Sequence, residues 1–172
     1  KEIKPQALGA IGELLNFHRA TDAGYVMMGQ GDQKARMPYV VEAYCRPIDG
    51  EDVDPKDKYK DTVQIMVNRT LVAGSLRVYR GKPTELYMFG WGLNHAFKLP
   101  KNIACRLIIN ITTPYMPITT DGKEPDLARF AGPLIKCIEK SAGKCRRAVS
   151  ATTGGVKTSQ KDYIEQYLEE AI

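Results

Sequence analysis

The chain has 172 residues, of which 43% are hydrophobic and 26% are charged, and its formal net charge at pH 7 is +5. These values are typical of one soluble globular domain, and the length is sufficient to bury a sizeable core. No apolar run approaches the roughly 20 residues that a membrane-spanning helix needs, so that class of protein is excluded.

The first part of the chain predicts a helix, a long loop and a strand. Residues 5–18 place apolar side chains such as Leu8 and Leu15 on one face at helical spacing. Residues 20–36 contain three glycines and predict a loop, although the glycines lack the spacing of a phosphate-binding loop. Alternating residues over 37–46 predict a strand.

The next elements are less regular. Residues 62–72 predict a second strand, whose pattern is broken by Asn68 and Arg69. Because polar groups in a strand need partners, we expect these two residues to bond the strand to a neighbouring loop. Residues 76–79 and 86–89 fit short strands or a helix, and the sequence leaves both alternatives open.

The clearest strand is predicted at 103–112, where strongly apolar residues occupy every second position. Pro114 ends it, because proline cannot donate to a β-ladder. The polar loop that follows ends in Gly122 and Lys123. A lysine at a loop tip can reach a terminal phosphate as a point charge, and a glycine beside it allows close backbone approach. Lys123 is therefore the candidate phosphate ligand, and the alternative is an exposed surface lysine.

A long helix is predicted from Pro133, because proline suits the first helical position. Helical spacing gives this helix an apolar stripe and, opposite to it, a basic stripe. The apolar stripe contains Leu134, Ile135, Ile138, Ala142, Cys145 and Val149, and the basic stripe contains Lys136, Lys140, Lys144 and Arg147. Gly154 and Gly155 are expected to end the helix, and residues 159–171 predict a short final helix.

Strands followed by one long helix predict an α+β sandwich. We divide the chain into a helix leading into the domain at 1–20, a main domain at 21–150, and a linker with a short helix at 151–172. Since the chain starts with lysine and shows no signal peptide, we expect it to be a piece of a longer protein.

The four cysteines, Cys45, Cys105, Cys137 and Cys145, lie inside apolar segments. They form no Cys-x-x-Cys pair and have no histidine nearby in the sequence, which argues against a zinc site. They are therefore predicted to be buried thiols in a reducing, cytoplasmic setting.

Four stretches together carry a resemblance to a known family. They are Leu8-Gly9-Ala10-Ile11-Gly12-Glu13-Leu14-Leu15, Pro38-Tyr39-Val40-Val41-Glu42-Ala43-Tyr44, Val67-Asn68-Arg69-Thr70-Leu71-Val72, and Ile108-Ile109-Asn110-Ile111-Thr112-Thr113-Pro114-Tyr115 with Gly122-Lys123-Glu124 after it. Over residues 8–150, their order and spacing resemble the transducer domain of the B subunit of DNA topoisomerase VI, or a divergent paralogue. The resemblance implies a ribosomal-protein-like split β-α-β two-layer sandwich with a long C-terminal helix, as in other ATPases of the GHKL class.

The same resemblance implies a role without a complete active site in this chain. In that family, ATP and Mg²⁺ are bound mainly by a GHKL ATPase domain, here expected outside the chain. A transducer lysine contacts the γ-phosphate, and the matching residue is Lys123 beside Gly122. The domain would couple ATP binding and hydrolysis to DNA strand passage by the A-type subunit, in a homodimer of the full-length protein. No residue of this chain is assigned to catalysis or to a metal.

Basic residues are concentrated between residues 140 and 161, where there are six and no acidic residue. Such a patch can meet the phosphates of nucleic acid, or it can be a solvated helix face. The candidate DNA contacts are Lys136, Lys140, Lys144, Arg147, Lys157 and Lys161. Two alternatives stay open for the chain: a non-enzymatic module of the same fold that binds DNA or RNA, and a structural interaction domain.

Overall fold

Eight strands and one long α-helix, preceded by a 3₁₀ turn, form the part of the chain that the computed structural model describes. This part comprises residues 17–47, 63–72, 76–82, 85–98, 105–119 and 124–169. For residues 79–82 and 152–169, it comprises the backbone but not the side chains. The elements are β1 (His18–Met28), β2 (Ala35–Pro47), β3 (Val63–Val67), β4 (Thr70–Leu71), β5 (Arg77–Lys82), β6 (Glu85–Gly90), β7 (Leu93–Lys98), β8 (Cys105–Thr112), the 3₁₀ turn (Ala128–Phe130) and α1 (Ala131–Glu169). The architecture is α+β, as predicted, and strands dominate it.

The strands form two sheets. A five-stranded sheet has the order β1-β2-β8-β3-β4, and β5, β6 and β7 form a three-stranded meander. Neighbouring strands are antiparallel except for β3 and β8, which are parallel. The strands predicted at 37–46 and 103–112 are confirmed as β2 and β8, which lie near the centre of the large sheet. The alternative left open for residues 76–89 is resolved in favour of strands.

The loop predicted at 20–36 is wrong, because most of it is β1. This strand pairs with β2 along its whole length, from His18 opposite Cys45 to Met28 opposite Ala35. Gly24 is a packing position rather than a turn, since a Cβ there would lie 3.0 Å from the hydroxyl of Tyr39. The turn itself comes later, where Gly29 has a φ of 91°. The helix predicted at 5–18 falls mainly on residues outside the described part, and its last residue belongs to β1.

The strand predicted at 62–72 is two strands, β3 and β4, joined by a tight turn. Asn68 and Arg69 form this turn with positive φ values of 50° and 69°, a conformation that suits two-residue hairpins. The Asn68 side chain donates to the carbonyl of Thr113 at 3.1 Å and accepts from its N–H at 3.0 Å. The prediction that these polar residues bond the strand to a loop is thereby confirmed for Asn68, whereas the N–H of Arg69 donates to Oδ1 of Asn110 in β8 at 3.1 Å.

The helix α1 is longer than predicted. It begins two residues before Pro133 and continues without interruption to Glu169, so Gly154 and Gly155 do not end it and there is no separate final helix. A glycine inside a helix costs only about 1 kcal/mol relative to alanine. The helical turns on both sides therefore offset this cost, and the helix continues through both glycines. With 39 residues, α1 is roughly 58 Å long.

One face of the five-stranded sheet, the meander and α1 enclose the main core. The buried side chains come from every second position of β2 and β8, from the inner face of the meander and from the predicted apolar stripe of α1. They include Val41, Ala43, Ile65, Leu86, Met88, Phe97, Leu107, Ile109, Ile111, Phe130, Leu134 and Ile138. The helix is thus fixed along about its first four turns, from Ala131 to Cys145, and its basic stripe faces away from the core.

Candidate functional site

The loop that carries Gly122 and Lys123 is closed at its base, although both residues lie outside the described part. Ile118 and Pro125 form an isolated antiparallel bridge. The N–H of Thr119 donates to the carbonyl of Glu124 at 2.8 Å, and the N–H of Asp126 donates to Pro117 at 2.7 Å. These bonds hold the two ends of the segment 120–123 side by side, between the end of β8 and the start of α1.

The base of this loop is also joined to the meander. The N–H of Leu127 donates to the carbonyl of Trp91 at 2.8 Å. The Asp126 carboxylate accepts from the N–H of Ala128 at 3.0 Å and so caps the 3₁₀ turn. A Cβ at Gly92 would collide with this carboxylate, and Gly92 also has a φ of 71°. Only glycine tolerates both the positive φ and the close approach of the Asp126 carboxylate. The turn of the meander and the loop base are therefore packed together as one unit.

Phe130 and Arg129 attach this unit to β1 and β2. The Phe130 side chain is completely buried and stacks edge-on against Tyr39, with ring centroids 6.1 Å apart. The guanidinium of Arg129 donates to the carbonyl of Met27 at 2.8 Å. The 3₁₀ turn that leads into α1 is therefore tied to the loop base on one side and to the sheet on the other.

Two residues of the predicted basic stripe are engaged within the protein. Lys136 forms an ion pair with Asp22, and the Nζ of Lys144 donates to the carbonyl of Arg19 at 2.7 Å. The Asp22 carboxylate raises the pKa of Lys136. The same carboxylate accepts from the hydroxyl of Tyr39 at 3.0 Å, and burial together with this bond raises the pKa of Tyr39 to about 12. Lys136 and Lys144 thus hold α1 on β1 as well as adding charge.

The other residues of the stripe border an open groove. Lys140, Lys144, Arg146 and Arg147 line it together with Glu139, Gly143 and the β1 residues Ala20 and Thr21, and its volume is about 500 Å³. Four cations face one carboxylate here, which favours an anionic occupant. Arg146 was not among the predicted contacts, although it precedes Arg147. Lys157 and Lys161 lie on the far part of α1, where side chains are outside the described part.

A polar network is buried on the opposite face of the sheet. Glu42 is 1% exposed, and its carboxylate accepts from Arg19 at 2.6 Å. It also accepts from the Tyr44 hydroxyl and from Nδ2 of Asn110, both at 3.3 Å. This network is indicated only weakly in the sequence, by a carboxylate and an amide within two largely apolar central strands.

The four cysteines are buried thiols, as predicted, but the argument from their spacing is incomplete. Cys45, Cys105 and Cys145 come from β2, β8 and α1, and their sulfur atoms all lie within 4.8 Å of one another. The fold therefore brings together three thiols that are 40 or more residues apart. Cys137 lies elsewhere, with its thiol donating to the carbonyl of Val41 at 3.3 Å.

Comparison with known proteins identifies no relative: no protein-family model, no curated protein and no solved structure matches the chain. Within the described ranges, none of the helical structure is both long and apolar enough to cross a membrane.

Proposed function

We propose that this chain is the transducer domain of the B subunit of an ATP-dependent type IIB DNA topoisomerase. In this role it couples the nucleotide state of a separate GHKL ATPase domain to DNA strand passage. The observation that carries the proposal is the closed loop base at 117–126, because its bonds hold the ends of the segment containing Lys123 immediately before the 3₁₀ turn that leads into α1.

The proposed mechanism requires Lys123 to contact ATP and its hydrolysis products differently. A ligand shifts a conformational equilibrium only through such a difference in contacts. Lys123, with Gly122 beside it, reaches the γ-phosphate of ATP, while ATP and Mg²⁺ are held mainly by the ATPase domain outside this chain. The loop base then transmits the change to α1.

The length of α1 makes it a suitable lever. A rotation of about 1° at Ala131 displaces the far end of a helix of roughly 58 Å by about 1 Å. The first four turns or so, which pack on the core, keep the helix and the sheet together as they rotate. The far end would act on the A-type subunit, within a cytoplasmic homodimer of the full-length protein.

The proposal includes the finer fold, a ribosomal-protein-like split β-α-β two-layer sandwich. It is supported by the parallel pairing of β3 with β8, which requires a crossover connection, and by α1 lying on one face of the sheet. The exposed groove beside α1 would supply contacts to the DNA that is passed.

Replacing Lys123 with alanine in the full-length protein is expected to lower ATP turnover tenfold to a hundredfold, on the order of the loss when one preorganised charge contact is removed. Turnover is measured with purified protein at saturating ATP. The control is Lys34→Ala, which removes an exposed lysine in the turn between β1 and β2. Equal turnover in the wild type and the Lys123 variant would reject the contact.

A second candidate function is supported by the groove itself, namely a non-enzymatic module that binds DNA or RNA. Lys140 is exposed there, and Arg146 and Arg147 are exposed about two turns further along α1. Phosphates spaced along a nucleic acid backbone can engage several such cations together, and each engaged cation releases counterions.

This candidate predicts a salt-dependent affinity that depends on the groove. A plot of log K for duplex DNA against log salt concentration has a negative slope. The double variant Lys140→Ala/Arg147→Ala is expected to make this slope less steep by about 2, one unit for each lost phosphate contact. Fluorescence anisotropy with a labelled duplex measures the slope. Lys34→Ala/Lys98→Ala removes the same charge from exposed positions away from the groove. If both double variants change the slope equally, the groove has no specific role.

A further inference from the structure

Three cysteines converge at one end of the main core. Cys45, Cys105 and Cys145 are each at most 5% exposed, and their sulfur atoms lie within 4.8 Å of one another. They belong to two adjacent strands and to the helix that covers them. A metal at this point would therefore connect α1 to the centre of the sheet.

The sulfur positions are close to those of a zinc–thiolate site. Zinc–sulfur bonds of about 2.3 Å in a tetrahedral arrangement place the sulfur atoms about 3.8 Å apart. The thiols would need to approach by no more than about 1 Å, which small side-chain rotations provide. Soft thiolate donors in a closed, dry setting favour zinc over hard cations such as Mg²⁺.

The three thiols bind a metal as thiolates. Binding of a divalent cation would therefore release the thiol protons to solvent, so the affinity is expected to rise with pH.

His18 is the candidate for a fourth ligand, and its ring must rotate toward the sulfur atoms, because neither ring nitrogen lies within 4.8 Å of all three. It lies directly opposite Cys45 in the β1–β2 pairing, and opposite residues project from the same face of a sheet. The carbonyl of His18 accepts from the hydroxyl of Ser141 at 2.5 Å, one helical turn before Cys145. This bond holds the backbone of His18 beside the helix turn that carries the third cysteine.

We infer that Cys45, Cys105, Cys145 and His18 form a structural zinc site that fastens α1 to the sheet. Three thiolates, one neutral imidazole and one Zn²⁺ give the site a net charge of −1. The set is complete with four protein ligands, which is the arrangement of closed structural sites rather than catalytic ones. The inference does not depend on the proposed transducer function.

Cobalt binding tests the inference, because Co²⁺ replaces zinc and reports sulfur ligands through charge-transfer absorption in the near ultraviolet. The reduced, metal-free 172-residue chain is expected to bind one equivalent of Co²⁺, with this absorption and the visible bands of a tetrahedral ion. One equivalent of Zn²⁺ should then displace the cobalt. Failure of the folded, reduced wild type to bind either metal would overturn the inference.

Two cysteine variants provide a matched comparison. Cys145→Ser is expected to weaken Co²⁺ binding at least a hundredfold. Cys137→Ser should bind as the wild type does, because Cys137 lies two turns earlier on α1, is equally buried, and has a pKa raised by burial to about 12. Both variants lose one buried thiol, so general destabilisation affects them alike. Equal loss of binding in the two would overturn the site.

His18→Ala tests the fourth ligand separately. It is expected to retain the sulfur-to-cobalt absorption, weaken binding tenfold to a hundredfold, and change the visible bands as water replaces the imidazole. Unchanged affinity and an unchanged visible spectrum would remove His18 from the site. Tight binding of Cu⁺ without any binding of Co²⁺ or Zn²⁺ would overturn the assignment to zinc.

Discussion

Replacing Arg19 with methionine is expected to lower the free energy of unfolding by about 3 kcal/mol, because it leaves the buried Glu42 carboxylate without its charged partner. Glu42 is 1% exposed, whereas the Arg19 side chain is 36% exposed. After the substitution, the carboxylate retains only the two 3.3 Å hydrogen bonds from Tyr44 and Asn110. Urea unfolding followed by circular dichroism measures the loss.

Substitution of the other partner of the ion pair, Glu42, should lower the free energy of unfolding by less. In Glu42→Gln, the amide oxygen can replace Oε1 and still accept from Tyr44, whereas the bond from Asn110 to Oε2 is lost. The arginine that loses its charged partner can be hydrated at the surface. We expect a loss of about 1.5 kcal/mol, and a double variant that is more stable than the sum of the single losses implies. A larger loss in Glu42→Gln than in Arg19→Met would show that burial of the carboxylate does not govern the network.

Phe130→Ala is expected to lower the free energy of unfolding by about 4 kcal/mol, since a fully buried aromatic side chain would leave a cavity. The melting temperature should fall by roughly 12 °C for a chain of this size. The cavity would open between the 3₁₀ turn and Tyr39, where the loop base meets the sheet. Calorimetry and chemical unfolding both measure the effect.

The matched control is Phe89→Ala, in which the side chain is 48% exposed on the meander. Its expected effect is within about 0.5 kcal/mol. Phe130→Leu should recover about half of the loss by filling part of the cavity. A loss below about 1 kcal/mol in Phe130→Ala would contradict the view that this side chain fixes the start of α1.

The sequence correctly predicted the elements in which apolar residues recur at a regular spacing. Alternation identified β2 and β8, and helical spacing identified the buried stripe of α1, because each of these elements meets the core along most of its length. The interruption at Asn68 and Arg69 correctly predicted bonding to a neighbouring loop. It did not predict the tight turn, since this requires knowledge of the positive φ angles of both residues.

The errors share one physical cause. Contacts between residues far apart in the chain decide which secondary structure a glycine adopts or which cysteines meet, and the neighbouring sequence does not show those contacts. Gly24 suggested a loop, yet its missing side chain makes room for Tyr39 across the strand pair. Gly154 and Gly155 suggested a helix end, yet their propensity cost is small beside the continuity of α1. The cysteine cluster was missed because spacing rules recognise ligands close in sequence, whereas these thiols meet only through the topology of β2, β8 and α1.

The first strand forms one border of the large sheet, and its position has a consequence for the behaviour of the protein at high concentration. Unpaired strand borders can recruit strands from other molecules and so begin aggregation. Here, Ser141, Lys144 and Arg129 donate to carbonyls at both ends of β1, and the opposite border is the two-residue strand β4. The bonds at the ends of β1 and the shortness of β4 are both expected to hinder pairing with strands of other molecules.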